Sequence, residues 1–231
     1  MTTSRIVRHE SRTALPSHWF LSAVIGVVLV GVYLFHRVDS SSDRAATATS
    51  ALYGRLSLAP QFVAEGEVWR LLTANLLHSN LWSLLASLLT LALVGSEVEA
   101  RWGARRYTAT IVIVGLATTL TTMALVPPVS RWATGTAAML GLIGAALTVA
   151  RRAGFRIWLI ALVGVVDLLV YLGSAESSIW AALGALAAGV MVAFLLISAP
   201  DDRRRNRIQA MLLGGFLLLL IIAAIILIAA Y

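Results

Sequence analysis

The chain has 231 residues, 59% of them hydrophobic and only 13% charged, with a mean hydropathy of +0.87. That composition excludes an ordinary soluble domain and a disordered segment, and leaves an all-α protein that crosses a bilayer several times. No cysteine is present, which removes disulfides and thiolate metal sites; the net charge of +7 comes from arginines scattered among loops without interleaved aromatics, so no nucleic-acid partner is expected.

An N-terminal tail over residues 1–18, carrying Arg5, Arg8 and Arg12, leads into an apolar run from Trp19 to Phe35, about the shortest length that spans a bilayer. No small-residue cleavage pattern follows it, so a retained first helix is expected and not a signal peptide. The polar interval from Arg37 to about Glu67 is too long for a plain loop, which predicts a structured, interfacial segment. Further apolar runs cover Leu76 to Gly95, Tyr107 to Val126, Gly135 to Ala150, Ile157 to Gly173, Ile179 to Ser198 and Met211 to Ala230, making seven candidate spans. The fourth is short, which fits if the Pro127-Pro128 segment before it dips into the protein.

Orientation follows from arginine bias in short loops. With the N-terminus inside, the inner segments hold 13 arginines and the outer segments 5, Arg37, Arg44, Arg55, Arg70 and Arg131. The expected topology is an N-terminus in the cytoplasm and, after seven spans, a C-terminus outside a cell membrane. The lipid bilayer is then the first partner.

Small residues recur on one face of the fourth span, at Ala137, Ala138, Gly141, Gly144 and Ala145, and on one face of the sixth, at Ala181, Gly184, Ala185, Ala188 and Gly189. Hydrophobicity drives helices together only weakly within lipid, so small residues at this spacing let two backbones approach and pack by van der Waals contact. Gly141, Gly144, Gly184 and Gly189 are therefore expected at a tight helix crossing. Any function is expected at one end of that crossing.

The run Tyr53-Gly54-Arg55-Leu56, Pro60, then Gly66-Glu67-Val68-Trp69-Arg70 through His78 resembles the first-loop signature of the rhomboid intramembrane serine proteases. Gly95, Glu99 and Gly103 with Arg106-Tyr107 resemble the family's pattern after its second core helix. Gly141 to Ala145 resembles its serine-bearing helix, and Ala181 to Gly189 its histidine-bearing helix. The resemblance covers about Tyr53 to Ser198. It implies a six-helix core over residues 19–198, followed over 199–231 by a cytoplasmic linker and one further transmembrane helix. It also implies a serine nucleophile, a histidine base and an oxyanion site built with a histidine and an asparagine.

Those side chains are not where the resemblance would put them. Thr136 occupies the nucleophile's position, Ala182 the base's, and Ser83 and Ser87 those of the oxyanion histidine and asparagine. The only histidines are His9, His18, His36 and His78, so no imidazole follows position 78. A hydroxyl is a weak nucleophile without a base in reach, and losing both costs on the order of a million-fold in a soluble serine protease. The expectation is therefore a rhomboid-like pseudoprotease with no catalytic residues, no cofactor and no metal, which engages transmembrane segments of other proteins. The expected client-binding residues are Thr136, Ala182, Ser83 and Ser87, with Trp69 and Arg70 shaping the rim. Two alternatives stay open: an active endopeptidase with Thr136 as nucleophile, and a structural subunit of a membrane complex.

Plainer roles stand beside these. Thr136 fits an N-cap at a helix start. Ser83 and Ser87 fit bonds back to their own helix or a water-holding cavity. His78 fits a structural position more readily than that of a base for Thr136. Asp167, an acid within a span, fits an interfacial partner near its helix end.

Overall fold

The computed structural model describes residues 19–39, 50–127, 131–153, 156–174, 177–199 and 204–231. The tail arginines Arg5, Arg8 and Arg12, His9, His18, Arg44, Pro128, Glu176 and the run Asp201-Asp202-Arg203 lie outside them. Within them the chain is helical throughout, in the order α1 (Phe20–Asp39), α2 (Ala51–Leu56), α3 (Pro60–Ala64), α4 (Arg70–Thr73), α5 (Leu81–Thr90), α6 (Ser96–Trp102), α7 (Ala104–Leu125), α8 (Gly135–Ala153), α9 (Ile157–Leu172), α10 (Ile179–Ser198) and α11 (Arg205–Ala229). Five helical segments are long and apolar enough to cross a membrane: Phe20–Val38, Leu81–Trp102, Ala104–Leu125, Ile179–Ser198 and Arg205–Ala229; α8 and α9 are apolar but shorter.

The second span starts and ends later than its apolar run suggests. Asn80 stops the run at its start: its Oδ1 accepts from the Ser83 amide at 2.9 Å while the Ser83 hydroxyl reaches back to the Asn80 backbone, a capping box that fixes the first turn at Leu81. Past Gly95 the helix continues through a π turn, Leu91–Gly95, into polar α6. It continues because Glu99 is buried. Its Oε1 accepts from the Leu21 amide at 2.8 Å, and its Oε2 from the Ser22 amide at 2.9 Å and the Ser22 hydroxyl at 2.8 Å. Those two amides belong to the first turn of α1, where no intrahelical acceptor exists, so a carboxylate from another helix caps it. Ser22 also shares a hydrogen bond with the Tyr107 hydroxyl at 3.0 Å, and a side chain at Gly95 would come within 2.8 Å of that oxygen.

The polar interval is structured, as its length predicts. Arg70 organises it: the guanidinium is 3% exposed, donates to the carbonyls of Gly54 and Ser57 at 2.8 Å each and to Glu67 at 2.6 Å, and lies 4.9 Å over the Phe62 ring. Leu58 and Trp132 exchange backbone hydrogen bonds of 3.0 and 2.9 Å, which tie this segment to the residues before α8. Ala133 and Thr134 are buried beneath it.

The centre of the bundle is α8 against α10, the most extensive pairing in the molecule. A Cβ at Gly189 would overlap the Gly141 carbonyl oxygen, and a Cβ at Gly141 would lie 2.6 Å from the Ala185 carbonyl oxygen. Gly144 has its closest approach at 3.1 Å, to the Leu186 carbonyl. Gly184 faces elsewhere, with the Thr121 side chain of α7 in the space its Cβ would need. Three of the four glycines thus set the α8–α10 crossing, and the fourth lets α7 close on α10.

Candidate functional site

Thr136, the position expected from the resemblance to face the chemistry, lies in the first turn of α8, and the backbone leading into it is pinned to the stretch before α5. The Thr134 amide donates to the Ala74 carbonyl at 3.0 Å, the Thr134 hydroxyl to Asn75 Oδ1 at 3.0 Å, and the Gly135 amide to the Leu77 carbonyl at 3.3 Å. Contact is so close at Gly135 that a Cβ would sit 2.6 Å from the Leu77 oxygen and 2.8 Å from Cε1 of His78. Glycine is required there by space. Thr136 follows it, 5% exposed, one residue inside the helix. The N-cap role expected for Thr136 does not hold, because α8 begins at Gly135 and the residue before the helix is Thr134, whose carbonyl accepts from Ala138 at 3.0 Å.

His78 lies against this turn, and its chemistry is directed elsewhere. Nε2 is 2.9 Å from the Ser87 hydroxyl. Nδ1 is buried and meets no partner in hydrogen-bonding geometry among the described residues. Burial pushes the imidazole pKa down to about 4, with the nearby Leu76 backbone offsetting part of that. A ring so biased towards the neutral form is a feeble proton acceptor at neutral pH. Ser87 is buried and its hydroxyl holds His78. Ser83 completes the capping box with Asn80, its hydroxyl donating to the Asn80 carbonyl at 2.7 Å.

Ala182, expected from the resemblance at the base's position, presents a methyl group that is buried in one apolar cluster with Ala137, Leu84 and Tyr171. Asp167 belongs to the same region of the fold but departs from its expected interfacial partner. It is 1% exposed on the inward stripe of α9 with Val163 and Tyr171, and neither carboxyl oxygen has a hydrogen-bond partner among the described residues. The first-loop residues behave differently from one another. Trp69 is 51% exposed, whereas Arg70 is buried with its donors taken up by the loop. Among the described residues no group of three or more His, Asp or Glu side chains is placed to hold a metal ion.

The pair sequence reasoning missed is His78 with Ser87. Nine residues apart, they meet because the chain turns at Asn80 and the second turn of α5 comes back past the histidine. The signal available was the capping residue Asn80, which sets where that helix starts.

The helix α9 flanks α5 and α8, and its other face is open: Leu162, Val165 and Leu169 are exposed, beside exposed Trp82, Leu85 and Leu89 of α5. Near the far end of the bundle a cleft of about 480 Å³ lies between the π turn and α6 on one side and the start of α9 on the other, lined by residues that include Leu93, Glu97, Arg101, Arg156 and Leu159.

Helix order, the buried first-loop arginine and the glycine-set α8–α10 crossing define a polytopic all-α membrane protein. Its sequence matches the Rhomboid domain family over residues 65–199, more than half of the chain, and the protein belongs to that family. A comparison with curated proteins finds no match.

Proposed function

We propose that this rhomboid-family protein is proteolytically inactive and engages transmembrane helices of other proteins along the adjoining faces of α5 and α9, to bind, chaperone or route them. The observation that carries this is the occupancy of the family's catalytic positions: Thr136, Ala182, Ser83 and Ser87 supply no base, and the one imidazole near Thr136 is bonded to Ser87. Client contact is assigned to Trp82, Leu85 and Leu169 at the surface, with Thr136, Ala182, Ser83, Ser87 and Asp167 behind them and Trp69 at the rim. Arg70 contributes by holding the first loop in shape. The arginine asymmetry supports a cell membrane with the N-terminus inside and the C-terminus outside.

A second reading has one observation in its favour. His78 packs on Gly135, next to Thr136, so it is the imidazole that an endopeptidase using Thr136 would draw on after turning away from Ser87.

The test is cleavage of a fluorescent single-span reporter in liposomes by the wild type, by Thr136→Ala, and by a variant carrying Thr136→Ser, Ala182→His, Ser83→His and Ser87→Asn. A silent wild type is expected. Cleavage by the wild type that Thr136→Ala abolishes overturns the proposal in favour of the second reading. Photo-crosslinkers at Leu85 and Leu169 are expected to capture transmembrane segments more than one at Leu218 on α11; equal yields overturn the assignment of the client face.

A further inference from the structure

The end of the bundle opposite the candidate site carries two adjoining clefts that the proposed function does not use. One, of about 640 Å³, lies between α7 and α11; the other, of about 720 Å³, lies between the start of α11 and the ends of α6, α8 and α10. Trp102, Arg106, Asn206 and Gln209 line both and form the wall between them. Arg106 is fixed in that wall, donating to the Trp102 carbonyl at 3.1 Å and to Asn206 Oδ1 at 2.5 Å. Arg105 is exposed at the mouth of the first cleft, and Arg101 and Arg205 line the second.

Below that basic rim the first cleft becomes apolar. Ala109 and Ile113 of α7 face Leu213, Gly214 and Leu217 of α11. Gly214 leaves open space, since a Cβ there would meet nothing within 4 Å. Cationic rim, interfacial tryptophan and apolar floor form the sequence of environments that a phospholipid presents from headgroup to acyl chain.

Two further features favour a negative headgroup. The first turn of α7, a helix of 22 residues, opens onto this rim, and the residue before it, Gly103, offers no side-chain cap to its orphan amides. Gln209 is 4% exposed; its Nε2 donates to the Leu196 carbonyl at 2.7 Å, which fixes the amide orientation and leaves Oε1 buried with no partner among the described residues. An unpartnered buried acceptor lacks a donor, and a headgroup hydroxyl is a donor.

We infer that these clefts are a binding site for an anionic glycerophospholipid whose headgroup carries a hydroxyl, with its phosphodiester on Arg105 and Arg106, its hydroxyl on Gln209 and an acyl chain in the α7–α11 groove. The inference is independent of how α5 and α9 are used.

The experiment is thermal unfolding of the purified full chain in detergent, followed by tryptophan emission, with added phosphatidylglycerol, phosphatidylcholine or inorganic phosphate at matched concentration. Phosphatidylglycerol is expected to raise Tm by several degrees, the other two not. Arg105→Gln with Arg106→Gln weakens the apparent phosphatidylglycerol affinity by roughly thirtyfold, on the scale of two arginine–headgroup attractions. Gly214→Leu, which fills the groove without meeting a neighbour at Cβ, abolishes most of the shift, while Gly215→Leu retains it. Equal shifts with phosphatidylcholine overturn the headgroup assignment. Equal shifts with inorganic phosphate leave an anion site and no lipid site, which also overturns the inference. If the double arginine variant does not fold, an unchanged shift in Gly214→Leu still overturns it.

Discussion

The two ends of the bundle hold their polar groups in opposite ways. At the arginine-rich end, Glu99 accepts three hydrogen bonds from the first turn of α1, and Ser22 extends the network to Tyr107. At the other end, His78 makes one hydrogen bond to Ser87, Ala182 offers none, and Asp167 has both oxygens unpartnered among the described residues. The first region joins three spans into one body through a side-chain network; at the second, the Arg70 loop and the Thr134–Asn75 contact hold the chain together, and His78, Ala182 and Asp167 add little to that. The difference teaches that this chain commits its buried polar groups to holding helices and loops in place, as Glu99 and Arg70 do, and leaves the proposed site with few.

The largest effect expected is therefore at the first end. Glu99→Ala strips the acceptor from the part-buried Leu21 amide and the buried Ser22 amide, while the Ser22 hydroxyl keeps Tyr107; each orphaned donor costs roughly 1–3 kcal/mol, so a loss of about 2–5 kcal/mol is expected in reversible unfolding from detergent micelles. A loss below about 1 kcal/mol would show that α1 is held by lipid-facing packing alone, and the contrast between the two ends would collapse.

Next in size is a pH effect at the other end. Between about pH 6.5 and about pH 4 the unfolded chain carries a proton on His78 and the folded chain does not. The unfolded state then binds more protons, so stability falls as pH drops through that window and the loss is complete below about pH 4, reaching about 3 kcal/mol at most. Carboxylates titrate in the same range, so the measurement is the difference between wild type and His78→Gln across it. That difference is expected to shrink on acidification; a flat difference breaks the assignment of His78 as a buried neutral group.

Much of this architecture was legible from the order of residues. Apolar runs located α1, α5 and α7 to α11, five of these segments long enough to cross a membrane and two shorter, and small residues at helical spacing located the α8–α10 crossing because close backbone approach leaves a trace in composition. The start of α5 was not legible from hydropathy, since Leu76 and Leu77 are apolar yet lie before the helix; the capping residue Asn80 decides. Nor was its continuation to Trp102, since Glu97, Glu99 and Arg101 look like loop until Glu99 is seen beneath α1. At the proposed site, the absence of any histidine after His78 was legible by count. The partners of those positions were not. Ser87 meets His78 only through the fold, and Gly184 faces Thr121 and not α8, because a stripe of small residues gives a face without naming the neighbour.

Removing the serine that holds the histidine has a smaller effect than either of the first two. Ser87→Ala leaves Nε2 of His78 buried beside a methyl, which costs about 1–2 kcal/mol. Ser87→Thr, which keeps the hydroxyl, recovers part of it. If Ser87→Ala proves neutral, the hydrogen bond is not what positions the ring, and the second reading for Thr136 gains the mobility it needs.

Ser83 is expected to give the smallest change, and the most discriminating. Its hydroxyl supplies the return half of a capping box whose other half, Asn80 Oδ1 to the Ser83 amide, does not involve the serine side chain at all. Ser83→Ala should therefore cost only about 0.5 kcal/mol, and Asn80→Ala, which removes the acceptor for an orphan amide, about 1 kcal/mol. Crosslinking yield at Leu85 separates this capping role from contact with a client. A capping serine loses stability without changing capture, and a serine that touches a bound helix changes capture at constant stability. Only the second outcome makes Ser83 part of a recognition surface; the first leaves it as a residue that starts a helix.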